Sequence, residues 1–184
     1  LIEKEPQIAY LINNAGIVQM KLSKDFTVKE IEDTVDLNCK APAILTNICL
    51  PYMQRGARII NVCSASAFQP VPYLNLYAAT KAFERSYSRA MNAELKPLGI
   101  SVTAVCPSWI DTDMLIREIN GKKVKFGGLV KPEKVAQKAL KDANKGKDMS
   151  VCSFYVKCQH MNVKFLPQKL TMKIWFNSIK KYFN

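Results

Sequence analysis

Tyr77 and Lys81 stand four residues apart, and Ser64 precedes the tyrosine by thirteen positions. On a helix, residues i and i+4 share a face, so a phenol and an ammonium would point the same way. A phenol with a pKa of about 10 is a poor base at neutral pH. An ammonium beside it favours the phenolate and lowers that value, which would make the tyrosine a usable proton donor and acceptor. A serine hydroxyl within reach could hold a carbonyl while the tyrosine protonates its oxygen. The pair alone is a weak signal. Tyr-x-x-x-Lys is expected about once by chance in a chain this rich in lysine. An ordinary surface pair on a helix is the bland alternative.

The elements around these residues weigh one reading against the other. Ala57 to Cys63, ARIINVC, is an apolar run that ends at Ser64. It has the composition of a strand buried on both faces. A loop follows at Gln69-Pro70-Val71-Pro72. From about Asn75, Tyr77, Lys81, Phe83, Tyr87, Met91 and Leu95 keep helical spacing, until Pro97 and Gly99 stop it. Ile8 to Ile12 (IAYLI), Ile100 to Cys106 (ISVTAVC) and Ser150 to Val156 (SVCSFYV) are three further strand candidates. The first seven residues, LIEKEPQ, read as a helix end and a proline-marked turn.

Thr27-Val28-Lys29-Glu30 has the form of a capping box, so a helix should start there. Its apolar face should run through Val28, Ile31, Val35, Pro42, Ile44, Leu45, Ile48 and Cys49. Pro42 has no N–H, so the helix should kink near Asn38. An Asn on the apolar side of that kink needs a partner or caps the freed carbonyls. Gly56 should break the helix. Ser108 to Val130 is irregular and long enough for a lid. Pro132 opens another helix, running to about Asn144. From Leu166 the tail can form an amphipathic helix, with Leu170, Ile174, Trp175, Ile179 and Phe183 on one side.

Strands and helices therefore alternate along one domain, residues 1–184. The fold class is α/β: a parallel sheet in three αβα layers. Sites in such sheets lie beyond the carboxyl ends of the strands. Asn14, Ser64 and Pro107 each stand at such an end.

Composition narrows the class. At 48% apolar the chain is globular, and it contains no run long enough to span a membrane. No secretory signal is evident, and the six cysteines are scattered without C-x-x-C. They read as small buried residues of a reducing, cytoplasmic compartment, with no metal site. The net charge of +12 is spread out, so nucleic acid is not the expected partner. Residues 157–184 are the exception: they carry six lysines and no acidic side chain. An amphipathic helix docked on its own domain or on another subunit is the first reading of this segment. A membrane-surface helix is the second.

Five segments together resemble the short-chain dehydrogenase/reductase family. Asn13-Asn14-Ala15-Gly16 is similar to the family's N-N-A-G, and Asn38 in VDLNCKAP to its active-site Asn. Asn61 to Ser64 resembles the strand end that carries the catalytic Ser. Tyr77 to Lys81 matches Y-x-x-x-K, and Cys106 to Thr112 resembles the P-G-x-x-x-T segment, with Ser108 in place of the glycine. The likeness to the hydroxysteroid-dehydrogenase-like and 3-oxoacyl reductase branches is looser.

The resemblance implies a Rossmann-type doubly wound domain that uses NAD or NADP. It implies hydride transfer between nicotinamide and a ketone or secondary alcohol, with Tyr77 as general acid/base. Lys81 would bind the nicotinamide ribose and lower the tyrosine pKa. Ser64 would orient the carbonyl, and Asn38 would hold a water linking Lys81 to solvent. Asn14, Ala15, Gly16, Pro107, Ser108, Ile110 and Thr112 would join Tyr77 and Lys81 in contacting the cofactor. Ser66 is the rival of Ser64, at the wrong offset from Asn61 and Tyr77. The family's glycine-rich turn has no counterpart here and would precede Leu1, so the sequence is expected to be the catalytic half of a fold incomplete at its N-terminus. Trp109, Met114, Leu115 and Phe126 would suit an apolar, acyl or steroid-like substrate. A homodimer or homotetramer is implied, paired through residues 27–53 and 75–97. The competing function is a non-catalytic dinucleotide-sensing or scaffolding relative.

Overall fold

The computed structural model describes residues 7–183, so the expected helix end at LIEKEPQ lies outside the described residues except for Gln7. In chain order the elements are β1 (Tyr10–Asn13), α1 (Val28–Val35), α2 (Ala41–Cys49), β2 (Arg58–Val62) and α3 (Asn75–Leu95). Then come β3 (Ser101–Val105), β4 (Glu118–Ile119), β5 (Lys122–Lys123), α4 (Pro132–Asn144), β6 (Met149–Ser150), α5 (Phe154–Phe165) and α6 (Gln168–Ile179). β1, β2, β3 and β6 form one parallel sheet in that order.

Side chains alternate across a strand, so each strand feeds two layers. Ile59 packs with Val102, Met91 and Leu95 beneath α3. Its neighbour Ile60 packs with Val105 against Val135, Ala139 and Ala143 of α4. Each such buried aliphatic side chain stabilises the fold by about 1.5–3 kcal/mol. The αβα layering expected from the alternation is thus formed, with β3 buried at every residue.

Several expectations are corrected. β1 is an edge strand of the described sheet rather than one buried on both faces: it pairs with β2, and Tyr10 and Ile12 are exposed. The helix before β2 ends at Cys49, ahead of a 3-10 turn at Leu50–Tyr52, so Gly56 sits in the following turn and does not break it. The expected strand 150–156 keeps two residues and then becomes α5. Val151 and Val156 both enter one cluster with Cys63 and Cys106. Residues five apart on a strand face opposite sides, so a strand could not deliver both. The loop 108–130 contains a small hairpin, β4–β5, turned by Asn120 and Gly121 at φ 49° and 73°. Two positive φ angles are the mark of a type I′ turn, and Asn-Gly is its sequence signal.

A further correction concerns the helix after β1. Thr27 caps it with both bonds of the capping box, as expected. At Asp36–Lys40 the helix widens into a π turn, where the Ala41 N–H reaches back to the Asp36 carbonyl. Pro42 has no N–H to give the Asn38 carbonyl, so the disturbance falls where the proline predicts. The buried face, however, is the polar one: Thr34, Asn38, Pro42 and Thr46 recur at four-residue steps. Val28, Ile31, Val35, Ile44, Leu45 and Ile48 face outward. Hydrophobicity picked the wrong side because the inner side is satisfied by hydrogen bonds.

α6 is the amphipathic tail helix, docked on its own domain. Trp175 Nε1 donates to the Pro72 carbonyl at 2.9 Å, and Tyr73 stacks on Phe183 at 4.0 Å. Thr171 and Ile179 are buried, while Leu170 and Ile174, expected on the inner side, are 44% and 58% exposed. Among the described residues no helix is long and apolar enough to cross a membrane.

Candidate active site

The strand ends and the start of α3 bring Ser64, Tyr77 and Lys81 to one place. β2 stops at Val62, and Ser64 caps a 3-10 turn over Ala65–Phe68, its Oγ accepting from the Ser66 N–H at 3.1 Å. The chain crosses Pro70 and Pro72 and re-enters as α3, whose first turns carry Tyr77 and Lys81 on one face. Lys81 Nζ lies 5.8 Å from the Tyr77 ring centre. All three residues line a cavity of about 490 Å³ at the carboxyl ends of the strands.

Lys81 is 3% exposed and donates to the Val62 carbonyl at 2.7 Å and to Glu84 Oε2 at 2.8 Å. Glu84 is 2% exposed, so this is a buried ion pair. The carboxylate holds the Lys81 pKa above its ordinary value against the opposing effect of burial. Burial pushes Glu84 up, with Lys81 opposing. Glu84 was missed in the sequence because a helical Glu reads as solvated. Its signal was spacing: it lies seven residues after Tyr77 and three after Lys81, on the same face.

Tyr77 corrects the expected lowering of its pKa. Burial pushes the phenol up; Lys81 and a hydrogen bond with Ser64 pull it down, and Glu84 opposes them. The lysine does favour the phenolate, but burial and its own counter-ion outweigh it.

Asn38 sits behind the cavity wall rather than in it. Its amide donates to the Ile17 carbonyl at 2.9 Å and to Thr80 Oγ1 at 3.1 Å, and its Oδ1 accepts from the Ile17 N–H at 2.8 Å. It therefore pins the Gly16-Ile17 backbone to α3 and does not cap its own helix. A Cβ on Gly16 would lie 3.3 Å from Asn38 Oδ1 and 3.5 Å from Lys81 Nζ. Asn13 and Asn61 form a second polar layer: Asn13 Nδ2 donates to Asn61 Oδ1, and Asn61 Nδ2 to Ser88 Oγ, both at 2.8 Å.

Of the other expected contacts, Asn14, Gly16, Pro107, Ser108, Ile110 and Thr112 line the cavity, while Ala15 is exposed and outside its wall. Ser108 keeps an ordinary backbone, so the missing glycine leaves no strain. Ser66 also reaches the cavity, with its Oγ buried and unpartnered. Trp109, Met114 and Leu115 add apolar wall, joined by Val18, Met20 and Trp175; Phe126 packs behind, 5.0 Å from Trp109. The six cysteines are free, and among the described residues no three His, Cys, Asp or Glu gather as metal ligands. His160 stacks on Phe68 at 4.2 Å.

The profile of the short chain dehydrogenase family matches residues 1–123. The very-long-chain 3-oxoacyl-CoA reductase of Anas platyrhynchos is 34% identical over 114 residues, 59% of this chain and 36% of the reductase. A short-chain dehydrogenase from Sphingobium yanoikuyae, solved in complex with NADPH, superposes with a TM-score of 0.71 at 28% identity, covering 89% of this chain and 64% of its own. A 3-ketoacyl-(acyl-carrier-protein) reductase from Brucella melitensis, complexed with NADH, superposes at 0.64 with 26% identity over 74% of this chain and 60% of its own. The chain spans half or less of the length of the curated relatives it matches. It belongs to the short-chain dehydrogenase family.

Proposed function

We propose that this member of the short-chain dehydrogenase family serves an NAD- or NADP-dependent oxidoreductase that interconverts a ketone and a secondary alcohol. The observation that carries the reading is the meeting of Ser64, Tyr77 and Lys81 in one apolar cavity at the strand ends. The residues present fit the nicotinamide-ribose end of such a cofactor. Gly16 leaves room where a Cβ would crowd Asn38 and Lys81, and Ile110 and Thr112 stand on the same wall. Bound there, the nucleotide would supply or accept the hydride.

The chain's own residues handle the proton and the positioning. Ser64 Oγ donates to the substrate oxygen. Tyr77 gives that oxygen its proton in reduction and takes it back in oxidation. Lys81, already charged, offers an N–H to ribose hydroxyls and supports the phenolate when it forms. Asn38 acts by holding Gly16-Ile17 and Thr80 in place. The apolar wall of Val18, Met20, Trp109, Met114 and Leu115 favours an apolar, acyl- or steroid-like ketone, and its volume suits a ligand of that size. The outward stripe of Val28, Ile31, Val35, Ile44 and Leu45 fits pairing with a second copy as a homodimer or homotetramer.

The test is NADH or NADPH oxidation by the full-length protein over a panel of ketones, with Tyr77→Phe as control. Turnover that disappears in the variant is expected. Equal rates in parent and variant overturn the role of Tyr77. Nucleotide binding with no turnover on any ketone favours the dinucleotide-sensing alternative.

A further inference from the structure

Glu84 has no part in the chemistry above, yet it is a fully buried carboxylate in contact with Lys81. An ammonium has three N–H donors. Two are engaged, by the Val62 carbonyl at 2.7 Å and by Glu84 Oε2 at 2.8 Å. One remains for the cavity, whose wall Lys81 helps to form. Glu84 is itself fixed from behind: Ser88 Oγ donates to its backbone carbonyl at 2.6 Å, and Asn61 Nδ2 donates to that same Oγ. A buried ion pair is a costly arrangement where packing alone is needed, since apolar side chains of similar size are often as stable.

We propose that Glu84 is a positioning residue: it grips Lys81 with one donor aimed at the cavity, and it offsets the lysine's charge so that Tyr77 is kept as a proton donor, in the state suited to carbonyl reduction. This rests on the ketone–alcohol reading of the same site. The charge accounting is local. The groups facing the pair are Tyr77 on α3, Cys39 from the π turn and Cys63 after β2. Burial pushes both thiols up, so they remain neutral and add no charge. Lys81 and Glu84 are then the two charges that Tyr77 feels, with opposite signs. In reduction the phenol O–H breaks and its proton passes to the substrate oxygen, while a bound reduced nucleotide would supply the hydride that completes the alcohol. A site that keeps the phenol protonated is ready for this direction and needs a higher pH for the reverse.

The experiment compares parent, Glu84→Gln and Glu84→Asp. The first readout is the pH dependence of kcat/KM for alcohol oxidation, whose rising limb reports loss of the Tyr77 proton. The limb is expected at lower pH in Glu84→Gln, with Glu84→Asp between it and the parent. The second readout needs no turnover: NMR titration of protein labelled with 13C-tyrosine, the Tyr77 signal identified by its loss in Tyr77→Phe. That signal should titrate at lower pH in Glu84→Gln. Superposable profiles and an unmoved signal overturn the inference. If Glu84→Gln does not fold, Glu84→Asp must still shift the signal downward, and an unshifted signal overturns the proposal. A parent that reduces no ketone while the Tyr77 signal moves refutes the proposed reaction and leaves the Glu84 role standing.

Discussion

The two halves of α3 lie on one sheet face and are built from different chemistry. One stripe runs down the helix at steps of four and three: Tyr77, Lys81, Glu84, Ser88, Met91, Leu95. The last two pack with Ile59 and Val102 in an apolar cluster. The first four are polar, engaged by Val62, Asn61 and one another. The strands match this division, since Ile59 lies under the apolar half and Asn61 under the polar half. The helix is thus anchored at the amino-end side of the strands, and the held end presents charges at the carboxyl ends. An apolar anchor tolerates small shifts, whereas a buried ion pair does not. The division puts stability and the proposed chemistry in separable places.

The sharpest way to break that division is to mutate one residue in each half. Tyr77→Phe should lower turnover about a thousandfold while the melting temperature stays unchanged, as calorimetry beside a rate assay would reveal. Leu95→Ala should do the reverse. It should lose about 2–5 kcal/mol in urea unfolding, with turnover per folded molecule preserved. Activity lost in step with stability in either variant would mean that the two halves act as one.

The α4 face supplies a further comparison, because its polar island does not line the cavity of Ser64, Tyr77 and Lys81. Asp142 is buried and accepts from Ser150 Oγ at 2.8 Å and from Lys147 Nζ at 2.9 Å, with Lys138 as a further partner. These partners outweigh burial and bring its pKa from 3.8 to about 2. A carboxylate lowered on folding stabilises the protein above its unfolded value, and that stability is lost as pH falls from about 4 to about 2. The contribution is about 2 kcal/mol. Urea midpoints measured between pH 5 and 2 should therefore fall more steeply in the parent than in Asp142→Asn, with turnover at neutral pH alike in both. The smallest effect is expected at the cap of α1. Thr27→Ala removes the bond that its Oγ1 accepts from the Glu30 N–H, keeps the one its own N–H gives to Glu30 Oε2, and should cost about 1 kcal/mol by denaturant titration.

What could be read from the sequence follows the same lines. β2, β3, α3 and α4 were legible because their apolar residues are buried and periodic. Ser64, Tyr77 and Lys81 were legible because their spacing crosses a strand end and a helix turn. The inner face of α1 and α2 was not, because Thr34, Asn38 and Thr46 are buried by hydrogen bonding, which hydropathy does not register. Glu84 was hidden for the same reason. α5 was hidden because Val151, Phe154, Tyr155 and Val156 suit a strand locally, and only their shared cluster on the sheet end selects the helix.

The bond from Trp175 to Pro72 joins residues 103 positions apart. At ribosomal rates, the second partner emerges on the order of ten seconds after the first. The sheet, Ser64, Tyr77 and Lys81 are all synthesised before it. During that interval these three side chains can be in place while the wall formed by Trp175 is still missing. That wall of the cavity is thus finished after the strand ends and the three side chains it faces, and a nascent chain can bring Ser64, Tyr77 and Lys81 together before it can enclose them.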